Sequence, residues 1–469
     1  MGFFVCLDAL LYHLTFLPVR IAVALTTLPG AVCGLGAPLS SQQACDLLRG
    51  LIFAACFALL SLVDASYVYH MVRGQSSIKL YVIFNCCEIF DKLCCALGLD
   101  ILDTLFGLLR ASVTRVTGGR RGLSGPHEVI MAFGTLPILG SALAAVVYVA
   151  IHAAVLFTLS VSINVAINSY NNALVTLLVS NQIIELKKSV FKRCVKENLF
   201  QLACADIVER AQLFIFLAVV CLQNLVQDAQ ASWAEFLGRT GRSVLIFWAS
   251  EIVVDSVKHS FICKFNKLDA GLYSKFSSIL YSDIINGRLP ASQPSAKPHH
   301  AVSHRIGFVP IPLACLFLHT ISRVLPLAHL PRWSPYWLAV VVTCYLNLVA
   351  LKILVSICLL GRAAVRHAKS LDAQTAALAS MRSKATPYAT PPASTLCSLP
   401  TRPQLAAATA AAAAAPSSAA TFTAPTDAES AAASSSTNSH PPLPDRVLSA
   451  SSEDLTDIQR YTLFGRRLV

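Results

Sequence analysis

Residues 243–266 read SVLIFWASEIVVDSVKHSFICKFN, an apolar run of membrane length with ionisable residues inside it. Glu251, Asp255, Lys258 and His259 follow one another at intervals of four, three and one. On a helix turning about 100° per residue, that spacing gathers them within an arc of roughly 100°. Leu245, Ile246, Val253, Val254, Val257 and Phe261 occupy the other faces. A charge near a bilayer centre costs at least about 2.5–3.5 kcal/mol on insertion scales, so such groups seldom face lipid. The stretch therefore decides for a helix packed among others in a membrane, its charged stripe turned toward protein or water.

Composition extends that reading to most of the chain. Only 13% of residues are charged and 55% are hydrophobic, about half the charged fraction of a soluble globular protein. Several windows reach the roughly 20 apolar residues needed to cross about 30 Å of hydrocarbon. They are continuous and lack period-two alternation, which argues against a β-barrel. The expected fold is all-α: a polytopic transmembrane helical bundle of about seven or eight spans, with interfacial amphipathic helices and a disordered C-terminal tail. A net charge of +12 sits largely in loops beside the spans, which reads as contact with anionic lipid headgroups rather than with nucleic acid.

Spans are expected over about 9–34, 51–68, 137–163, 211–227, 243–263, 309–329 and 336–361. Residues 129–184 carry no formal charge and could add a hairpin. Lys and Arg crowd 70–128, 185–210, 264–308 and the segment after 361; a hairpin puts all four on the cytosolic side. The start MGFFVCLDALLYHLTFLPVRIAV lacks a positive n-region and a small-residue cleavage site, so the first span is expected to stay as an anchor. Residues 366–385 form an amphipathic or basic juxtamembrane segment. From 386 to 469 Ala, Ser and Pro dominate, the composition of a disordered tail. Its end, DLTDIQRYTLFGRRLV, regains enough pattern for a short docking peptide.

Several segments in order resemble the Tapt (transmembrane anterior posterior transformation) family of eukaryotic multi-pass membrane proteins. They are LTFLPVR (14–20), VDASYVYHMVRGQSSIKLYVIFNCCEIFDKL (63–93), SINVAINSYNNALVTLLVSNQIIELKKSVFKR (162–193), ENLFQLACADIVERAQ (197–212), ASEIVVDSVKHSFICKFN (249–266) and RIGFVPIPLA (305–314). The resemblance covers roughly residues 10–365, the Tapt-like transmembrane domain. It implies an endoplasmic reticulum membrane protein tied to protein folding or quality control and, in animals, to cilium assembly. A SUN-like protein is the partner it implies. No catalytic residues are established for that family, so none carry over. The N-terminus is short beside the long polar leader of many relatives, and the tail follows no family pattern.

The stripe Glu251/Asp255/Lys258/His259 admits two functions besides catalysis, for which no accompanying motif occurs. As an ion-paired intramembrane contact it serves a non-enzymatic scaffold; as a polar pathway it serves an ion or small-solute transporter or channel. Lys258 and His259 could also snorkel to an interface. Arg73 and Lys79 flank the polar turn at Gly74, and Lys187, Lys188, Lys192 and Arg193 stand beside Leu186, Val190 and Phe191. Both sets suit the membrane surface, against the plainer reading of a turn and a solvated charged face.

Cys86-Cys87 and Cys94-Cys95 invite a metal reading, but adjacent thiols on a helix point about 100° apart, unlike the Cys-x₂₋₄-Cys spacing of zinc sites. Helix packing or palmitoylation is expected instead, and the other cysteines inside apolar stretches read as small hydrophobes. His299, His300 and His304 lie in a polar loop without a cysteine or carboxylate cluster, a weak metal signal. No phosphate-binding, zinc-protease, nucleophile-elbow or dinucleotide motif occurs. The expectation is no enzyme, no cofactor and no metal, in a protein whose partners are the lipid bilayer and other membrane proteins.

Overall fold

A computed structural model describes residues 1–34, 37–118, 122–169, 173–190, 193–227, 232–287, 301–324 and 335–384, with 462–463 and 466–467. The rest of the tail, including most of the proposed docking peptide, lies outside the described residues. The described chain is helical almost throughout. In order come α1 (Gly2–Leu14), α2 (Phe16–Cys33), α3 (Ser41–Ser61), α4 (Ala65–Arg73), α5 (Ser77–Thr117), α6 (Pro126–Phe133), α7 (Leu136–Ile167) and α8 (Ala173–Val190). There follow α9 (Lys196–Gln227), α10 (Trp233–Phe236), a π-helical turn (Leu237–Gly241), α11 (Arg242–Phe265), α12 (Gly271–Asn286), α13 (Ala301–Ile306), α14 (Pro310–Val324) and α15 (Pro335–Lys384). One compact unit holds residues up to Leu371 together with Ala450–Val469; Asp372–Ser449 form a second. Within the first, Thr462–Leu463 and Arg466–Arg467 pair as a minimal antiparallel hairpin. Of the second, only the end of α15 is described.

Four helical stretches among the described residues are long and apolar enough to cross a membrane: Gly2–Cys33, Ser41–Ser61, Leu136–Ile167 and Pro335–Lys369. The ranges 211–227, 243–263 and 309–329 fall on α9, α11 and α14, with 325–329 outside the described residues; these helices also turn polar groups inward, and Gln212 and Asn224, Asp255 and Lys258, His319 and Thr320 are all buried. Residues 77–117 form one long helix, α5, whose 41 residues reach about 60 Å.

Local sequence sets the helix ends. Ser40 accepts from the Gln43 amide at 3.2 Å, and the Gln43 side chain accepts from the Ser40 amide at 2.9 Å, a reciprocal capping box opening α3. Asp64 caps α4 by accepting from the Ser66 amide at 3.0 Å. The polar turn at Gly74 divides α4 from α5 as its composition predicts. Ser40→Ala is expected to cost about 1 kcal/mol, read as a lower thermal midpoint of the detergent-solubilised protein.

Two apolar clusters fill the first unit. One gathers Leu10, Leu14, Leu156, Leu199, Phe200, Phe216 and Leu313; the other gathers Ile52, Leu105, Leu109, Val149 and Cys315. In the second, Leu39 and Leu123 exchange backbone hydrogen bonds of 2.9 Å, tying the approach to α3 to the loop after α5. α7 lies along α5, α8 lies along α11, and α9 touches both α7 and α11. Polar side chains meet among these five helices.

Candidate functional site

α11 carries the stripe read from sequence, and the partners of all four residues lie within the chain. Lys258 is buried; its Nζ lies 3.0 Å from Asp206 Oδ1, 3.0 Å from Asp255 Oδ1 and 3.9 Å from Glu185 Oε1. Asp206 comes from α9 and Glu185 from α8. His259 Nε2 lies 2.8 Å from the other oxygen of Asp206, and its Nδ1 lies 2.8 Å from the Tyr273 hydroxyl on α12. Arg210 Nε approaches Asp255 Oδ2 at 2.9 Å, an ion contact whose direction falls short of a hydrogen bond. Glu251 accepts from the Gln182 amide on α8, and Ser250 donates to the Gln182 carbonyl oxygen at 2.8 Å. The arrangement is a clasp of α8, α9, α11 and α12.

A second knot lies beside it on α5. Glu88, Asp91, Lys92 and Cys95 recur at three- and four-residue steps, so they share one helix face. Lys92 Nζ lies 3.0 Å from Glu88 and 3.0 Å from Glu209 of α9. Asp91 lies 2.8 Å from His152 Nε2 of α7, and Gln212 donates to it at 3.3 Å. The other nitrogen of His152 is 3.0 Å from the Tyr148 hydroxyl. A cavity of about 80 Å³ joins the two knots, lined by Glu88, Asp91, Glu185, Glu209, Gln212 and Glu251 with Phe84, Leu159 and Phe216. That volume admits several water molecules.

Acids outnumber bases here. Glu88, Asp91, Glu185, Asp206, Glu209, Glu251 and Asp255 face the cations Lys92, Arg210 and Lys258, with the imidazoles of His152 and His259 among them. On α5 and α8, outside the four apolar stretches, the imbalance shows as raised carboxyl pKa values. Burial, then the Glu209 charge, pushes Glu88 up to about 7. Burial and Glu209 raise Glu185 as well. Carboxyls of this kind hold protons that exposed ones release.

The expected membrane-surface residues stand apart from this network. Arg73, Lys79, Lys187 and Arg193 are exposed; the Lys188 side chain and all of Lys192 lie outside the described residues. His299 and His300 also lie outside. His304 stands on α13 rather than in a loop, with its Nε2 2.6 Å from Asp103, a carboxylate partner that its neighbours in sequence do not disclose. Cys86 is exposed and Cys87 half-buried, whereas Cys94 and Cys95 are buried. Two groups gather potential metal-ligand atoms among the described residues: Asp91, Cys95 and His152, and the carboxylates Glu88, Glu185 and Glu209. Sequence reasoning passes over Asp91 and His152, although a carboxylate and a histidine inside apolar helices are a signal.

The helical bundle, with four stretches among the described residues long and apolar enough to cross a membrane, defines an all-α membrane protein, and comparison places it. Residues 39–368 match the model of DUF747, a eukaryotic membrane protein family, and the chain belongs to that family. It is 40% identical over 366 residues to a Dictyostelium discoideum protein called Protein TAPT1 homolog, covering 77% of this chain and 42% of that protein. It is 39% identical over 371 residues to the Xenopus laevis transmembrane anterior posterior transformation protein 1 homolog, covering 77% and 62%. It is 34% identical over 338 residues to endoplasmic reticulum membrane protein 65 of Schizosaccharomyces pombe, covering 68% and 50%. The chain thus spans less than two thirds of the length of each of these relatives. No solved structure matches it.

Proposed function

We propose that this chain is a non-enzymatic scaffold of the endoplasmic reticulum membrane, supporting protein folding, quality control or cilium-related organelle assembly through contacts within the bilayer. The observation that carries the reading is the engagement of Glu251, Asp255, Lys258 and His259 by partners on α8, α9 and α12. Groups paired in this way fasten helices rather than present a reactive atom. Apolar side chains then face outward, among them Leu245, Val253 and Phe261 on α11 and Leu338, Leu346 and Ile357 on α15. Those faces suit lipid and other membrane proteins, with a SUN-like protein as the partner class. Exposed Arg73, Lys79, Lys187 and Arg193 suit anionic headgroups. The relative named endoplasmic reticulum membrane protein 65 supports the compartment.

A second reading, a cation or proton pathway through the same network, is favoured by the excess of carboxyls around the cavity. One pair of variants separates the two. The scaffold reading expects that full-length protein from gently solubilised membranes carries a stable co-purifying membrane partner. It also expects no ion flux in proteoliposomes, and loss of the partner in Glu251→Gln and Asp255→Asn. Flux abolished by these substitutions, with complex composition unchanged, sinks the scaffold.

A further inference from the structure

We propose that Asp91, Cys95 and His152 form a buried site for a zinc-class divalent metal ion between α5 and α7. Asp91 and Cys95 are one helical turn apart on α5, and His152 reaches them from α7. The carboxylate oxygen, the sulfur and Nε2 all lie within 4.8 Å of one another. Asp91 Oδ1 is 2.8 Å from Nε2 and 3.9 Å from Cys95 Sγ, and Sγ is 4.0 Å from Nε2. Bonds of about 2.0–2.3 Å to a tetrahedral zinc set ligand separations of roughly 3.3–3.7 Å. The two sulfur edges must close by a few tenths of an ångström and the Asp–His edge must open by about half an ångström. Side-chain torsions supply movements of that size without a backbone shift.

The chemistry suits such an ion. One thiolate, one imidazole and one carboxylate mix soft and hard donors as zinc sites do, and exclude the all-oxygen preference of magnesium and calcium. Charge argues the same way. A doubly charged cation bound to one carboxylate and one thiolate is neutral overall, which suits a site walled in by apolar helices. The histidine also has the outer partner that metal-bound imidazoles use: Tyr148 Oη stands 3.0 Å from Nδ1. Asp91 and Gln212 line the 80 Å³ cavity, so water can complete the fourth position. On binding, the Cys95 thiol loses its proton to solvent. Nε2 of His152 binds the metal, so the ring hydrogen lies on Nδ1, facing the Tyr148 hydroxyl.

The acidic trio Glu88, Glu185 and Glu209 has no sulfur or nitrogen donor and plays no part in this claim. The site is also independent of the scaffold reading, because a metal between α5 and α7 stabilises a scaffold and a transporter alike.

The test uses full-length protein in mild detergent, stripped with chelator, re-equilibrated with zinc and passed over a sizing column. One zinc per chain is expected by elemental analysis. Cobalt in its place is expected to show a thiolate-to-cobalt charge-transfer band. Cys95→Ser removes one sulfur from a buried position with little change of shape and is expected to abolish that band and lower zinc affinity more than 10-fold. Tyr148→Phe should lower affinity by roughly 10–100-fold while keeping the band. Cys45→Ser, elsewhere in the core, should change neither. A wild-type chain that retains no zinc overturns the proposal, as does a Cys95→Ser chain, folded by its thermal midpoint, that keeps zinc and the band.

Discussion

Lys258→Met is expected to destabilise the protein by about 3–5 kcal/mol, the effect of breaking a buried ion pair from one side. The ammonium is buried, with two carboxylates at 3.0 Å and a third at 3.9 Å. Methionine keeps the volume and removes the charge, which leaves Asp206 and Asp255 short of their main counter-ion. Typical domains are stable by only about 5–15 kcal/mol, so the loss should show as a lower thermal midpoint and a smaller yield of monodisperse protein. Asp206→Asn removes one facing charge but leaves His259 without its carboxylate. The double variant Lys258→Met/Asp206→Asn should therefore lose clearly less than the sum of the two single losses, because neighbours in one network are not additive. A wild-type midpoint in Lys258→Met refutes the clasp.

How much of this is legible in the sequence follows from how far each signal reaches. The stripe on α11 is visible because a four-three-one spacing is a property of one helix. Its partners are not, since Glu185, Asp206 and Tyr273 come from other helices and no local rule brings them to Lys258. A search confined to one helix leaves the stripe facing an unknown neighbour; the bundle supplies that neighbour from the same chain. Cys95 shows the opposite failure. Comparison with adjacent Cys94 gives a poor metal spacing, whereas comparison with Asp91, four residues back, gives a shared face. The residue that completes the cluster, His152, lies in the apolar stretch 137–163 with only Tyr148 as a polar companion within one turn and no charged residue to draw notice. Helical class and membrane character need only hydropathy summed over about 20 residues, so they are plain from the chain itself. Span number is less so. Along the sequence 243–263 looks like any membrane-length segment, yet α11 uses its charges against α8 and α9.

Gly98→Ala is expected to disturb α5 and α7 more than a single methyl group suggests. A Cβ at Gly98 would stand 1.8 Å from the Tyr148 hydroxyl oxygen and 2.2 Å from Cζ, with the rigid ring rather than a flexible chain end in the way. Either the helices separate or Tyr148 swings out of its place, and overpacking of this kind costs typically about 1–3 kcal/mol. Movement of the ring also breaks its 3.0 Å contact with His152 Nδ1. A second readout follows: Gly98→Ala should weaken zinc retention as Tyr148→Phe does, although residue 98 has no ligand atom. Tyr148→Val removes the obstructing ring. Gly98→Ala/Tyr148→Val should then unfold at a higher temperature than the two separate losses predict. That recovery distinguishes a steric clash at this crossing from a general intolerance of α5 to substitution. If the single variant matches wild type and the double is worse than additive, the close approach of α5 to Tyr148 is not what holds the imidazole in line with Asp91 and Cys95.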